Sequence, residues 1–379
     1  MSLNHVTSDF MRLSILVLGA MLSACIASDK QIKIAQPIET SGKWILEADN
    51  SSMLDPQTSG LSYFDGKLFS VSDGSAHDSQ IKKLHMIQPQ TGEVVGKLGP
   101  FVLSEALQAS CFASYLNARP DYEGLVSIPG EPNSWLLVTE DATRSGEYSD
   151  ACKQRFANSG STEHPSLLVK VSQQDDNLRI VGVRALQFAA SDAVGNFPND
   201  GIEGITISKD GRIFLGLEKD SQTKPRIFEL PYTHTMFKTL DAFLPVKDSN
   251  LWLPEVAKGN HPVNGMDVYY PNDASKGVLI LSARNDNQLW IVDLAKQQPT
   301  KVIDVVFKAP CEGSAPYNIA ITGIEGIAVH QDTLYLINDP WKKVYPANTN
   351  LEACPGDKTK YDRMSPLLFS IPTNKLTME

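Results

Sequence analysis

The chain has 379 residues, 42% of them hydrophobic, with a formal net charge of -10 and five cysteines. That length holds one large β domain or two ordinary ones, and no Gly/Ser or Pro linker divides it, so a single domain is expected. The acidic balance excludes nucleic acid and an anionic membrane as charge-driven partners, since both need a basic surface to release counterions.

At the amino terminus Met11-Arg12 precedes the apolar run Leu13 to Leu22, and Leu22-Ser23-Ala24-Cys25 has the small-residue form of a lipoprotein processing site. Residues 1–24 therefore read as a secretion signal, Cys25 as the lipid-bearing residue, 25–40 as a lipidated tether, and 41–379 as the folded domain, with an ordinary signal peptide or a buried amino-terminal strand as the alternative. Asp9 and the ten residues ahead of Met11 do not fit such a leader, which leaves Met11 as an alternative initiator. The apolar run is too short to span a bilayer. Ile26 carries no Asp-type signal for retention in an inner membrane, so the expected location is the cell envelope, on the periplasmic side of the outer membrane.

Next comes a short strand, Lys43 to Glu47, without inner partners of its own. After it, five units begin at Ser59-Gly60, Glu123-Gly124, Glu203-Gly204, Asn264-Gly265 and Glu325-Gly326, and end at Asp73, Glu140, Glu218, Arg284 and Asp339. Each opens with an apolar strand such as Ile205-Thr206-Ile207, turns at positions like Asp65-Gly66 or Asp210-Gly211, and returns through a second strand such as Leu334-Tyr335-Leu336-Ile337. Short runs rich in β-branched and aromatic residues and bounded by turn residues are hairpins rather than helices. Third and fourth strands follow in most units, for example Gln288 to Leu294 and Lys301 to Val305. Recurrence of one supersecondary unit implies stacking around an axis, because a single small sheet cannot bury both faces. The expected fold is all-β, a β-propeller of five four-stranded blades with a degenerate sixth possible. The strand from Lys43 would close the ring on the last blade, ending at Leu367 to Ile371.

Four cysteines remain. Cys111 and Cys152 flank the second unit, and Cys311 and Cys354 flank the last, at similar distances from the unit ends. In a propeller the loop leading into a first strand and the loop leaving a second strand share a face, so Cys111–Cys152 and Cys311–Cys354 are expected as disulfides. Two free pairs or a four-cysteine metal site are the alternatives, although CxxC spacing for zinc is absent.

The same geometry gathers Glu123, Glu203, Glu325, Asp73, Glu140, Glu218 and Asp339 at one mouth of the central channel, with Arg284 where symmetry would place another acid. Seven carboxylates in one funnel need protons, cationic partners or metal. Ca²⁺ suits them as a hard ion tolerant of irregular oxygen shells. The plainer alternative is that each Glu caps a strand while Gly allows close approach at the channel wall. Arg284 can pair with a carboxylate or grip an anion. Asn264 opens the same unit at the mouth and His261 lies just before it, so both are expected to join Arg284 as ligand-binding residues. His77, His164, His234 and His330 lack metal-ligand spacing and read as structural or surface residues. Arg144, Lys219, Lys342 and Lys343 follow second strands and could offset the acids. No GxSxG elbow, HExxH, Walker loop or dinucleotide fingerprint occurs.

The segment from Glu203-Gly204-Ile205-Thr206-Ile207-Ser208-Lys209-Asp210-Gly211-Arg212 to Glu218, with Ser59-Gly60-Leu61-Ser62, Val71-Ser72-Asp73 and Ile324-Glu325-Gly326-Ile327-Ala328, resembles the phytase-like propellers, also called esterase-like. It is similar as well to the SdiA-regulated envelope propellers. The resemblance covers most of residues 55–371 and implies a propeller in the envelope with hydrolysis as one activity. Three functions follow as expectations: a lipid-anchored monomer binding Ca²⁺ and a small anionic or metal-bridged ligand at the acidic mouth, a Ca²⁺-assisted phosphoester or ester hydrolase, or a scaffold for another envelope protein. Nucleic acid is not expected as a partner, and membrane contact is expected only through the lipid.

Overall fold

The computed structural model describes residues 32–140, 148–161, 165–174, 177–195, 201–240, 242–254, 263–273 and 275–377. Among these, the strands form five sheets, and each of the five sequence units supplies the first strands of one. The first strands are Thr58–Phe64, Tyr122–Ser127, Ile202–Ile207, Val263–Tyr269 and Ile324–His330. They pack side by side in that order, and the last returns to the first, which gives an all-β, propeller-like arrangement.

A hydrophobic cluster fills each gap between neighbouring sheets. Phe69 and Trp135 meet between the first and second sheets, Val138 and Leu215 between the second and third, and Phe214 and Leu279 between the third and fourth. Ile280 and Leu336 meet between the fourth and fifth, and Ile337 and Leu68 between the fifth and first. Alternation along each strand explains this. Phe214 and Leu215 are neighbours in sequence yet serve opposite faces of one sheet, because successive β side chains point to opposite sides. Every sheet thus buries both faces and depends on two others.

At the axis the glycines set the spacing. A Cβ on Gly124 would lie 2.8 Å from Ile205 Cγ2 of the next sheet, and one on Gly265 would lie 2.8 Å from the Glu325 carbonyl oxygen. Gly60, Gly204 and Gly326 make the same approach to their own neighbours. No side chain fits here, so the axis narrows to a cavity of about 10 Å³, hardly room for one water.

The amino-terminal segment crosses three sheets. Ile32–Ile34 and Ile38–Ser41 pair in parallel with Thr300–Ala309 on the outer edge of the fourth sheet. Lys43–Trp44 then pairs antiparallel with Leu367–Pro372 of the fifth, and Leu46–Glu47 pairs in parallel with Glu93–Leu98 of the first. The expected closure on the last sheet is present, but the expected single strand from Lys43 to Glu47 divides at Ile45 between two sheets. The boundary set at residue 40 also needs correction, because residues 32–40 are bound to the fourth sheet rather than free as a tether. Covering an exposed outer edge with backbone partners is the physical reason.

Four strands per sheet holds for the third and fifth, while the others gain extra edge strands. The third obtains its fourth strand from Lys247–Asp248, too short and polar to stand out in the sequence. Both expected disulfides form, Cys111–Cys152 and Cys311–Cys354, each with Cα atoms 5.5 Å apart. Cys25, with residues 1–31, lies outside the described residues. Among the described residues no helix is long and apolar enough to cross a membrane.

Candidate functional site

Every first strand departs from regular pairing where its unit begins. Register shifts lie between Tyr122 and Gly124, Ile202 and Gly204, Val263 and Met266, Ile324 and Gly326, and Ser59 and Leu61. A bulge places two residues opposite one and re-aims a side chain. Here Glu123, Glu203 and Glu325 are the extra residues, each beside the glycine that meets the next sheet. The second strands end beside them through a repeated bond: Asp73 N–H donates to the Gln57 carbonyl (3.0 Å), Glu140 to Asp121 (3.1 Å), Glu218 to Gly201 (3.0 Å) and Asp339 to Gly323 (2.7 Å). Start and end residues therefore share one mouth.

The carboxylates do meet there. Ser59 Oγ lies 2.8 Å from Glu123 Oε2 and 2.8 Å from Glu325 Oε2. Asn264 Nδ2 donates to Glu203 Oε2 at 3.1 Å. Arg284 spans Glu325 and Asp339, with Nη1 2.6 Å from Glu325 Oε1 and Nη2 3.2 Å from Asp339 Oδ2, while its guanidinium lies 4.9 Å from the Trp341 ring centroid. Asp121 Oδ1 accepts the Gly74 N–H at 2.7 Å, just past Asp73.

Burial and mutual repulsion govern protonation. Burial first, then the neighbouring Glu203, holds the Glu123 carboxyl well above its usual range. Burial followed by Glu140 and Glu218 does the same for Glu203, and burial with Glu325 for Asp339. Asp73 is pushed up to about 7 by burial, Asp121 and Glu325. Glu325 is raised by burial against the pull of Arg284. Burial opposes the charge on Arg284, yet Glu325 and Asp339 raise its pKa above the ordinary value. A serine hydroxyl has one proton to donate. Ser59 can therefore donate to only one of Glu123 and Glu325 at a time, and burial of both carboxyls favours a proton on the other. Arg284, Glu325, Ser59 and Glu123 thereby form one chain of hydrogen bonds across the fourth, fifth, first and second sheets.

Two groups of carboxylate oxygens remain, Asp121–Glu123–Glu140 and Glu140–Glu203–Glu218, with the oxygens of each group within 4.8 Å of one another. They share Glu140. An all-oxygen donor set suits a hard cation such as Ca²⁺, which tolerates an irregular shell. Beside them Asn264 Oδ1 is buried without a hydrogen-bond partner, in a residue only 1% exposed. An unmet buried acceptor next to Glu203 fits a cation better than an empty hydrophobic wall would. These residues can hold Ca²⁺.

Of the residues singled out in the sequence, Glu123, Glu140, Glu203, Glu218, Glu325, Asp339, Asp73, Arg284 and Asn264 come together at the mouth, although Asp73 is only half-buried. His261, Arg144 and His164 lie outside the described residues. Lys342 is drawn to Asp55, 2.9 Å away, and to the Ser75 carbonyl. His77 is exposed and bonded to Ser79, His234 meets Glu131, and His330 stacks on Tyr63, all consistent with structural or surface roles. Sequence reasoning missed Asp121, two residues before Glu123, and Ser59, whose hydroxyl joins two sheets. Comparing Ser59 with the Glu in the same place of three other units was the available signal; nothing comparable marked Asp121 or Trp341.

No protein-family model matches the sequence, and no curated protein matches it. Among solved structures the chain is similar to a gluconolactonase from Xanthomonas campestris (9% identity, TM-score 0.38, covering 85% of this chain and 86% of that one). It is similar also to the major allergen of Malassezia sympodialis (8%, 0.45, 84% and 94%) and to virginiamycin B lyase from Staphylococcus aureus (6%, 0.35, 83% and 95%). At these values the likeness bears on neither substrate nor reaction.

Proposed function

We propose that the five sheets are the blades of one phytase-like propeller, held in the cell envelope as a lipid-anchored monomer, that binds Ca²⁺ and a small ligand at its acidic mouth. The observation that carries this reading is the pair of carboxylate groups sharing Glu140, beside the unmet Asn264 Oδ1. Asp121, Glu123, Glu140, Glu203 and Glu218 would hold the ion. Arg284 already engages Glu325 and Asp339, and Asp73 belongs to neither carboxylate group, so these three stand apart from the rest of the seven metal ligands expected from the sequence. Arg284 is occupied by the same contacts, so it braces the mouth and leaves less of its charge for a free anion.

A hydrolase is the second reading, favoured by one feature: Glu123 and Glu203, with raised pKa values beside a metal-capable group, have the character of a general acid or base. Ca²⁺ bound there would supply Lewis-acid polarisation of a phosphoryl or acyl oxygen. Aryl phosphate, phytate and aryl ester panels with and without Ca²⁺ separate the two readings. Turnover that disappears in Glu203→Gln would favour hydrolysis; Ca²⁺-dependent stabilisation without turnover would favour binding.

A further inference from the structure

We infer that the protein rests on its membrane through the edge of the fourth sheet opposite the mouth, with Lys33, Ile34 and Lys375 against anionic phospholipid headgroups and the acidic mouth facing away. The inference rests on the lipid anchor proposed above and adds the docking face and orientation.

Strand direction fixes the orientation. In the fourth sheet Val263–Tyr269 leaves the mouth and Val278–Ala283 returns to it. Gln288–Asp293 leaves again and Thr300–Ala309 returns, since consecutive strands are antiparallel. Thr300 is therefore at the far end. Ile32–Ile34 pairs in register with Thr300 to Val302, so the chain joins the domain at the end away from Glu203 and Arg284. Cys25 precedes Ile32 by seven residues, a reach of at most about 24 Å. A lipid on Cys25 thus holds this edge, not the mouth, close to the bilayer.

Side chains on the edge suit that neighbour. Ile34 is 70% exposed, the most exposed large hydrophobic side chain among the described residues. With it, Lys33 and Lys375 are exposed around a groove that also includes Lys301 and Glu39, whose carboxylate is met by Lys308 at 2.6 Å. One apolar residue and two lysines add only about 1 kcal/mol per lysine near an anionic surface. They orient a chain already tethered but do not bind it alone, which agrees with a net charge of -10 excluding membrane binding driven by overall charge. Repulsion of the carboxylate-rich mouth from the same headgroups favours the same orientation.

The test uses the full lipidated chain in mixed phosphatidylethanolamine and phosphatidylglycerol vesicles, with a fluorophore on Ile34→Cys or on Leu351→Cys, the latter in the mouth-side loop before the last strand. Lipids carrying a headgroup-level quencher should remove most of the Ile34→Cys signal and leave Leu351→Cys bright. Adding Lys33→Glu and Lys375→Glu should restore much of the lost signal. Quenching of Leu351→Cys instead, or of neither label, overturns the inference. The mass of the amino-terminal peptide reports the anchor separately. If Cys25 proves unmodified, the anchor fails and the inference that rests on it fails too, whereas a lipidated Cys25 with an unquenched Ile34→Cys label overturns the docking face alone.

Discussion

Arg284 Nη1 lies 2.6 Å from Glu325 Oε1, joining the one cationic unit end to a unit start on the next sheet. The Arg284 side chain is 15% exposed and that of Glu325 is 5%, so the pair is largely out of water. Removing one member of a buried pair costs more than the pair is worth against an apolar replacement, because the other charge is left uncompensated. Arg284→Ala should therefore destabilise the ion-free protein by about 3 kcal/mol at neutral pH. The loss should shrink in mild acid, where Glu325 and Asp339 can take up protons. Urea unfolding at both conditions measures it; an equal loss at each would contradict the pairing.

The mouth also sets an unusual pH dependence. A carboxyl whose folded pKa stands above its unfolded value binds more protons folded than unfolded between the two, so stability falls as pH rises through that window. For Asp73 the window runs from 3.8 to about 7, and Glu123, Glu203, Glu325 and Asp339 shift in the same direction. With EGTA present, the protein should melt higher at about pH 5 than at about pH 8, the reverse of ordinary acid denaturation. Calorimetric melts across that range check it. A midpoint that climbs steadily from pH 5 to 8 would remove the buried acids from the account.

Asp267 separates structure from site. Its Oδ1 accepts the Thr206 hydroxyl at 2.8 Å and its Oδ2 accepts the Val329 N–H at 2.7 Å, so one side chain links the third, fourth and fifth sheets. Burial pushes its pKa up to about 6, while both bonds favour the charged form. Asp267→Ala leaves the buried Thr206 hydroxyl and the half-buried Val329 N–H without this acceptor and should cost about 1–3 kcal/mol. Any Ca²⁺ affinity should be unchanged, because Asp267 lies three residues past Asn264 and outside both carboxylate groups. Denaturation with and without Ca²⁺ would show whether the two effects separate.

The disulfides brace the mouth loops. Each closes a loop of similar length, with the cysteines 41 and 43 residues apart, and loop closure gives about 3–4 kcal/mol each in the chain-entropy view. Paired Cys→Ser variants should each lose stability of that order in urea unfolding. The Cys111–Cys152 variant should also weaken any Ca²⁺ response more than the other, because Tyr115 in that loop accepts the Asp121 N–H at 2.9 Å. Equal responses would mean that Asp121 is held without the loop.

Much of this was legible in the sequence because repetition exposes what a single unit hides. Gly60, Gly124, Gly204, Gly265 and Gly326 mark the axis, and the residues before them mark the mouth. Cys111–Cys152 and Cys311–Cys354 followed from the same phase. The segment from Ile32 to Ser41 was less readable, since its pairing with Thr300–Ala309 depends on an edge more than 250 residues away, not on its own pattern. Partition of the acids was hidden for a similar reason. Sequence symmetry treats Glu123 and Glu325 alike, whereas Arg284 reaches from the fourth sheet to pair with Glu325 and leaves Glu123 among other acids.

The central claim is that Asp121, Glu123, Glu140, Glu203 and Glu218 hold Ca²⁺, and a thermal melt of the purified protein titrated from EGTA into Ca²⁺ tests it most directly. A ligand that binds only the folded state adds about 2.7 kcal/mol at a hundredfold excess over its Kd. The expected result is a melting temperature that rises with Ca²⁺, and a rise that Glu140→Gln abolishes because both carboxylate groups share that residue. An unchanged melting temperature from EGTA to saturating Ca²⁺, or a full rise in Glu140→Gln, would contradict it.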